Sequence, residues 1–97
     1  MDPNVKLLKA LADETRLRIL CCFIAGEACA CSVVPSVGKA QSTVSQHLRI
    51  LEEAGILESR RVGINIWYRI KSKDAMKILK ILGQEANSIT QNCEVRK

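Results

Sequence analysis

Five cysteines and a single histidine are the side chains of this 97-residue chain best suited to bind or react with something soft. The cysteines fall as an adjacent pair, Cys21-Cys22, a Cys29-x-Cys31, and a lone Cys93 near the carboxyl terminus. An odd number at such short spacings is poor ground for a disulfide framework, so they read as reduced thiols. With His47 the only imidazole, a metal site must rest on thiolates. Thiolates select thiophilic ions such as arsenic(III), antimony(III), cadmium or copper(I). Cys29 and Cys31 lead, because a Cys-x-Cys beside a helix start, where thiolates are favoured, is more than packing requires. Cys21 shares a helical stripe with Leu17, Leu20 and Ile24 and reads as a small buried hydrophobe.

A second constellation is built to donate and accept hydrogen bonds. From about Gln41 to Ala54, Val44, Leu48 and Leu51 recur at i, i+4 and i+7, which predicts a helix closed by Gly55. At 100° per residue Ser42, Gln46 and Arg49 fall on the opposite, solvent side. His47 lies nearer the buried side, as a packing or phosphate-contacting residue. Directly afterwards the period changes to two: Ile56 to Arg61 and Asn65 to Ile70 predict a hairpin, with Val62 to Ile64 and Gly63 as its turn. From Lys39 to Lys71 six basic residues face three acidic ones, within a chain of net charge +5. That balance favours a polyanionic partner through counterion release.

The elements that must hold these groups are mostly helical. Aromatics are limited to Phe23, Trp67 and Tyr68, so the core must be made of Leu, Ile, Val and Ala. Helical spacing covers residues 4 to 12. Asp13 then predicts an N-cap for a buried central helix from about 14 to 25, closed by Gly26. Residues 30 to 37 predict a brief or distorted helix ending at Gly38, since Pro35 keeps regular hydrogen bonding only in a first turn. Ser72 caps a last helix from about 73 to 91, striped by Ala75, Ile78, Leu79, Leu82, Ala86 and Ile89. This stripe exceeds what one small core can cover and implies a partner subunit. The length suits one domain over residues 1–97.

Several classes drop out. No apolar run approaches the roughly 20 residues that span a bilayer, and the amino terminus lacks a signal pattern, so the cytoplasm is expected and no membrane partner. No nucleophile stands at recognisable spacing from a base and there is no Gly-rich phosphate loop, so no enzyme is expected.

A short helix, a Gly-containing turn, a polar-striped helix and a basic hairpin make a winged helix-turn-helix: mainly α, about five helices plus a two-stranded wing. In that geometry the polar-striped helix enters the major groove. Gln46 and Arg49 match adenine and guanine edges, and Ser42 and Thr43 meet phosphates. Arg60, Arg61 and Asn65 reach the neighbouring backbone or minor groove. With Ser45 and His47 these form the expected DNA-binding set, and double-stranded DNA is the expected partner.

The segments Leu11-Ala12-Asp13-Glu14-Thr15-Arg16-Leu17-Arg18-Ile19-Leu20, Glu27-Ala28-Cys29-Ala30-Cys31, Gln41-Ser42-Thr43-Val44-Ser45-Gln46-His47-Leu48-Arg49-Ile50-Leu51, Ala54-Gly55-Ile56-Leu57, Arg60-Arg61-x-Gly63 and Trp67-Tyr68 occur in that order. Together they resemble the ArsR/SmtB family of metal-responsive repressors. The resemblance implies a homodimer joined through the first and last helices, bound to a two-fold symmetric operator and released by an inducer, with no obligatory cofactor. It also implies that Cys29 and Cys31 stand where arsenic-responsive members carry a Cys-x-Cys pair. The family's third cysteine position is Val34 here, so a third thiolate must come from Cys22 or Cys21, from Cys93, or be absent. A zinc site on the last helix is not expected, because residues 73 to 91 hold no His and only Asp74 and Glu85 as acids. Two alternatives stay open: a redox or persulfide sensor pairing Cys21 with Cys93, and a DNA-binding domain that senses nothing.

Overall fold

Two aspartates start the helical half. The computed structural model describes residues 2–84. Helix α1 (Pro3–Leu11) is capped by Asp2, whose side chain accepts the Asn4 N–H at 2.7 Å, with proline pre-set in the first turn. Helix α2 (Glu14–Cys21) is capped by Asp13, whose carboxylate accepts the Arg16 N–H at 2.9 Å. The expected continuation of α2 to residue 25 does not occur. Cys22 and Phe23 instead donate to Ile19 and Leu20 in three-residue turns, which tighten the chain and drive Phe23 into the core before Gly26 at φ +143°.

Strand β1 (Ala28–Cys29) follows, then α3 (Ala30–Val37), α4 (Gln41–Glu53), β2 (Leu57–Val62), β3 (Asn65–Ile70) and α5 (Lys73–Ile81). Strand β1 and the length of α5 depart from expectation. The two-stranded wing hairpin is present as β2 and β3, and β1 adds a third antiparallel strand in the order β1-β3-β2: Ala28 pairs with Tyr68 and Cys29 with Trp67. Two residues are too short to read as a strand from their own sequence. Pro35 is the sixth residue of α3, an eight-residue helix that ends before Gly38. Its exposed ring is accommodated because the helix closes three residues later, at Gly38 in the left-handed region. Finally, α5 ends at Ile81, with Leu82 as its cap and Gly83 at φ +76°, short of the expected residue 91. Ala86 and Ile89 lie outside the described residues.

The core gathers Ile19 and Leu20 of α2, Val33 of α3, and Val44, Leu48 and Leu51 of α4, each essentially without solvent contact. Ile56 locks the junction: its N–H donates to Leu51 and its carbonyl accepts the Lys71 N–H at 2.9 Å, so the end of α4, the sheet and the start of α5 meet at one buried residue. Among the described residues no helix is long and apolar enough to cross a membrane.

The Asp13 cap gives a first test. The Arg16 backbone N–H, ahead of all other influences, holds the Asp13 carboxyl below its usual range. A depressed folded pKa stabilises above the unfolded value and is lost as pH falls through the folded one. Asp13→Ala should cost about 1 kcal/mol. Asp13→Asn keeps an acceptor, so its deficit should be smaller. In urea unfolding followed by circular dichroism, that deficit should be present near neutrality and vanish as pH drops below the ordinary carboxylate range.

Candidate nucleic-acid interface and thiol cleft

Burial of Val44, Leu48 and Leu51 fixes the rotation of α4, and the remaining side follows from it: Ser42, Ser45, Gln46 and Arg49 are exposed, while Thr43 and His47 are half-buried at its margin. Arg49 approaches Glu53 at 3.7 Å, an exposed pair one turn apart of little energetic weight that leaves the guanidinium free to exchange partners.

The strand period separates the two wing arginines. Arg60 stands opposite Trp67, and Arg61 opposite Ile66 on the other face of the sheet. On its face Arg60 is held by Glu27 through two bonds, Nε to Oε2 at 2.7 Å and Nη2 to Oε1 at 2.8 Å. Arg69 is paired with Glu58 on that same face. Arg61 is exposed and, among the described residues, has no carboxylate partner. Asn65 opens β3 opposite Val62, across the two-residue turn Gly63-Ile64. Equivalent in the sequence, Arg60 and Arg61 are therefore distinct in the fold: one is engaged and the other available.

The thiols sort by environment. Cys21, Cys22 and Cys29 are buried and Cys31 is exposed; Cys93 lies outside the described residues. Cys21 donates to Gln84 Oε1 at 3.0 Å, and burial, with adjacent Cys22 second, pushes its thiol pKa up. Cys22 donates to the Arg18 carbonyl at 3.8 Å. Cys29 does two things at once. It ends β1 and packs with Trp67, and its Sγ accepts the Cys31 N–H at 3.3 Å as the N-cap of α3. Cys29-x-Cys31 is thus a strand-to-helix junction.

Cys29 and Cys31 both line a cleft of about 370 Å³ between α3, α4 and β3. Val34, Leu48, Ile66 and Tyr68 line it as well, as do Ser45 of α4 and Asn65 of the wing. Among the described residues no three His, Cys, Asp or Glu side chains come together as a metal cluster. Cys29 and Cys31 are the two thiol residues of the cleft lining. Neither Cys21 nor Cys22 lines this cleft.

One participant was not legible beforehand. Arg16, three residues after the Asp13 cap, places Nη1 at 3.2 Å from His47 Nδ1 and donates through Nε to the Ala10 carbonyl at 2.7 Å. The partners are 31 residues apart, and no local pattern signals the contact.

A helix pair with an exposed polar stripe on its second member, followed by a sheet whose hairpin carries an unpaired arginine, defines a winged helix-turn-helix DNA-binding protein. Residues 13–59 match the family model described as bacterial regulatory protein, arsR family. The chain is 35% identical over 84 residues to an uncharacterized HTH-type transcriptional regulator of Methanocaldococcus jannaschii, covering 86% of this chain and 94% of that one. It is 39% identical over 67 residues to the arsenical resistance operon repressor of Escherichia coli, covering 68% of this chain but only 57% of that protein. A homodimeric winged helix-turn-helix DNA-binding domain from Mycobacterium bovis superposes with a TM-score of 0.77 at 30% identity, over 84% of this chain and 76% of that one. The chain belongs to the ArsR family of bacterial transcriptional regulators.

Differential exposure of the thiols is directly measurable. In brief iodoacetamide labelling of a Cys93→Ser variant, mass spectrometry should find Cys31 modified well before Cys21, Cys22 and Cys29. Equal labelling of all four would contradict the burial described above.

Proposed function

We propose that this regulator is a homodimeric cytoplasmic repressor, a single domain over residues 1–97. It binds two-fold symmetric operator DNA through α4 and the wing, and leaves it when arsenic(III), antimony(III) or another soft ion takes the thiolates of Cys29 and Cys31. The observation that carries this reading is the cleft: Cys29 and Cys31 share it with Ser45 and Asn65, two members of the surface assigned to DNA. An inducer held there alters the spacing of reading helix and wing. The reading is also supported by the E. coli relative, a repressor of an arsenical resistance operon. Exposed Val5 and Leu8 on α1, with Ile81 and Leu82 at the end of α5, support a dimer face on the terminal helices.

Within this proposal Gln46 and Arg49 read base edges, Ser42, Thr43, Ser45 and His47 meet phosphates, and Arg61 and Asn65 track the backbone beside the wing. Arg60 contributes less, since Glu27 already neutralises it. Arsenous acid binds without redox change: each S–As bond forms as a thiol proton and one hydroxide leave as water, and arsenic stays trivalent. Cys22 and Cys93 are retained as sources of a third thiolate. A redox sensor built on Cys21 and Cys93 has less support, because burial disfavours the Cys21 thiolate that such chemistry needs.

Fluorescence anisotropy on upstream DNA should show Gln46→Ala and Arg49→Ala each weakening binding about tenfold. Arg61→Ala should reduce the slope of log affinity against log salt by about 1 and Arg60→Ala by less. Trp67 is the chain's only tryptophan, and it packs against Cys29. Under anaerobic conditions arsenite should therefore change tryptophan emission and release DNA together, and a Cys29→Ser, Cys31→Ser variant should show neither response. DNA release by arsenite from that double variant would sink the thiolate mechanism.

A further inference from the structure

Arg16, on α2, bridges two parts of the molecule whose roles are otherwise separate: α1, on the face assigned to dimerisation, and α4, which carries the polar stripe. Arg16 is unusually well fixed for a basic side chain near a surface. Its backbone N–H is held by the Asp13 cap at 2.9 Å. Its Nε donates to the Ala10 carbonyl at 2.7 Å and its Nη2 to the Lys9 carbonyl at 3.4 Å. These carbonyls lie in the last turn of α1, where the macrodipole favours a cation; that of Lys9 also accepts the Ala12 N–H at 3.3 Å. With those donors committed to α1, Nη1 points across to α4 and meets His47 Nδ1 at 3.2 Å.

A guanidinium can only donate, so Nδ1 must accept, and a neutral imidazole accepting at Nδ1 carries its proton on Nε2. Protonating Nδ1 would remove the acceptor and bring two cations together. His47 is half-buried on α4, directly after exposed Ser45 and Gln46 in the chain. Beside it a second cleft, about 210 Å³ between α1, α2 and α4, is lined by Lys6, Lys9 and Arg16, with Glu53 the one acid on its wall. An N–H donor at the margin of the polar face, next to clustered positive charge, matches a phosphate oxygen.

We propose that Arg16 is a positioning residue for DNA binding: it clamps the last turn of α1 to α4 and fixes His47 as the Nε2–H tautomer, an oriented donor to one DNA phosphate. This rests on the assignment of α4 as the DNA-reading helix. Arg16 need not touch DNA itself, and a lysine cannot replace it, because one ammonium does not span three acceptors in a fixed planar array. The same clamp passes a displacement of α1 within a dimer to the reading helix through one side chain.

The test uses the full chain, whose only histidine makes the imidazole spectrum unambiguous. Long-range 1H–15N correlation of the DNA-free protein, with the imidazole neutral, should show the Nε2–H tautomer, and Arg16→Lys should give a mixture. On DNA, Arg16→Lys and His47→Ala should each weaken binding about tenfold, and the double variant no further, since both remove one interaction. His47→Gln, which still accepts from Arg16 and donates outward, should stay within about twofold of the parent. Circular dichroism melts of every variant confirm that folded protein is compared. The Nδ1–H tautomer in the parent, or single losses that multiply in the double variant, overturns the proposal. Gln46→Ala and Arg49→Ala separate the two levels. If both bind DNA like the parent, the DNA-reading assignment of α4 has failed and this role with it. If they are defective while the tautomer is wrong, this proposal alone has failed.

Discussion

Burial of three residues on α4, Val44, Leu48 and Leu51, is the constraint on which the rest of the molecule depends. A helix has one rotational degree of freedom about its axis, and packing three successive turns against α2, α3 and the sheet removes it. The polar stripe is thereby aimed without needing any specific contact of its own. Exposed Ser42, Gln46 and Arg49 are free to find partners because the opposite face has none to spare. The end of α4 is held as firmly, by Ile56, which bonds to Leu51 and to Lys71 from one fully buried position.

The sheet turns a separate thiol site and a separate wing into one unit. Although β1 is only Ala28–Cys29, it pairs Ala28 with Tyr68 and seats Cys29 against Trp67, on the strand that also carries Asn65. The same cysteine caps α3, the helix that precedes the turn into α4. A change at one sulfur therefore bears on strand pairing, on the start of α3 and, through the shared cleft, on Ser45. Pro35 adds compliance here: it offers no N–H to the Cys31 carbonyl, so α3 is held more by its ends than by its internal ladder.

Charge is partitioned with similar economy. Glu27 and Glu58 neutralise Arg60 and Arg69 on one face of the sheet, leaving Arg61 on the other. The excess of positive charge that the middle of the chain carries as a whole becomes directional, since only one face of the wing keeps it.

Much of this was determined by the sequence alone. Local physics set the caps at Asp13 and Ser72, the stop at Gly38, the rotation of α4 and the hairpin turn at Gly63, because each follows from interactions within a few residues or from a single period. The ordered segments from Leu11 to Tyr68 carried the family. Other features waited on tertiary structure. The early end of α2 depends on Phe23 finding the core, and β1 exists only because β3 lies beside it. Strand alternation puts Arg60 and Arg61 on opposite faces, but Arg60 is engaged only through Glu27, 33 residues away, and Arg16 meets His47 over 31 residues. Contacts between distant residues depend on how the elements pack, and neither period nor propensity along the chain encodes them.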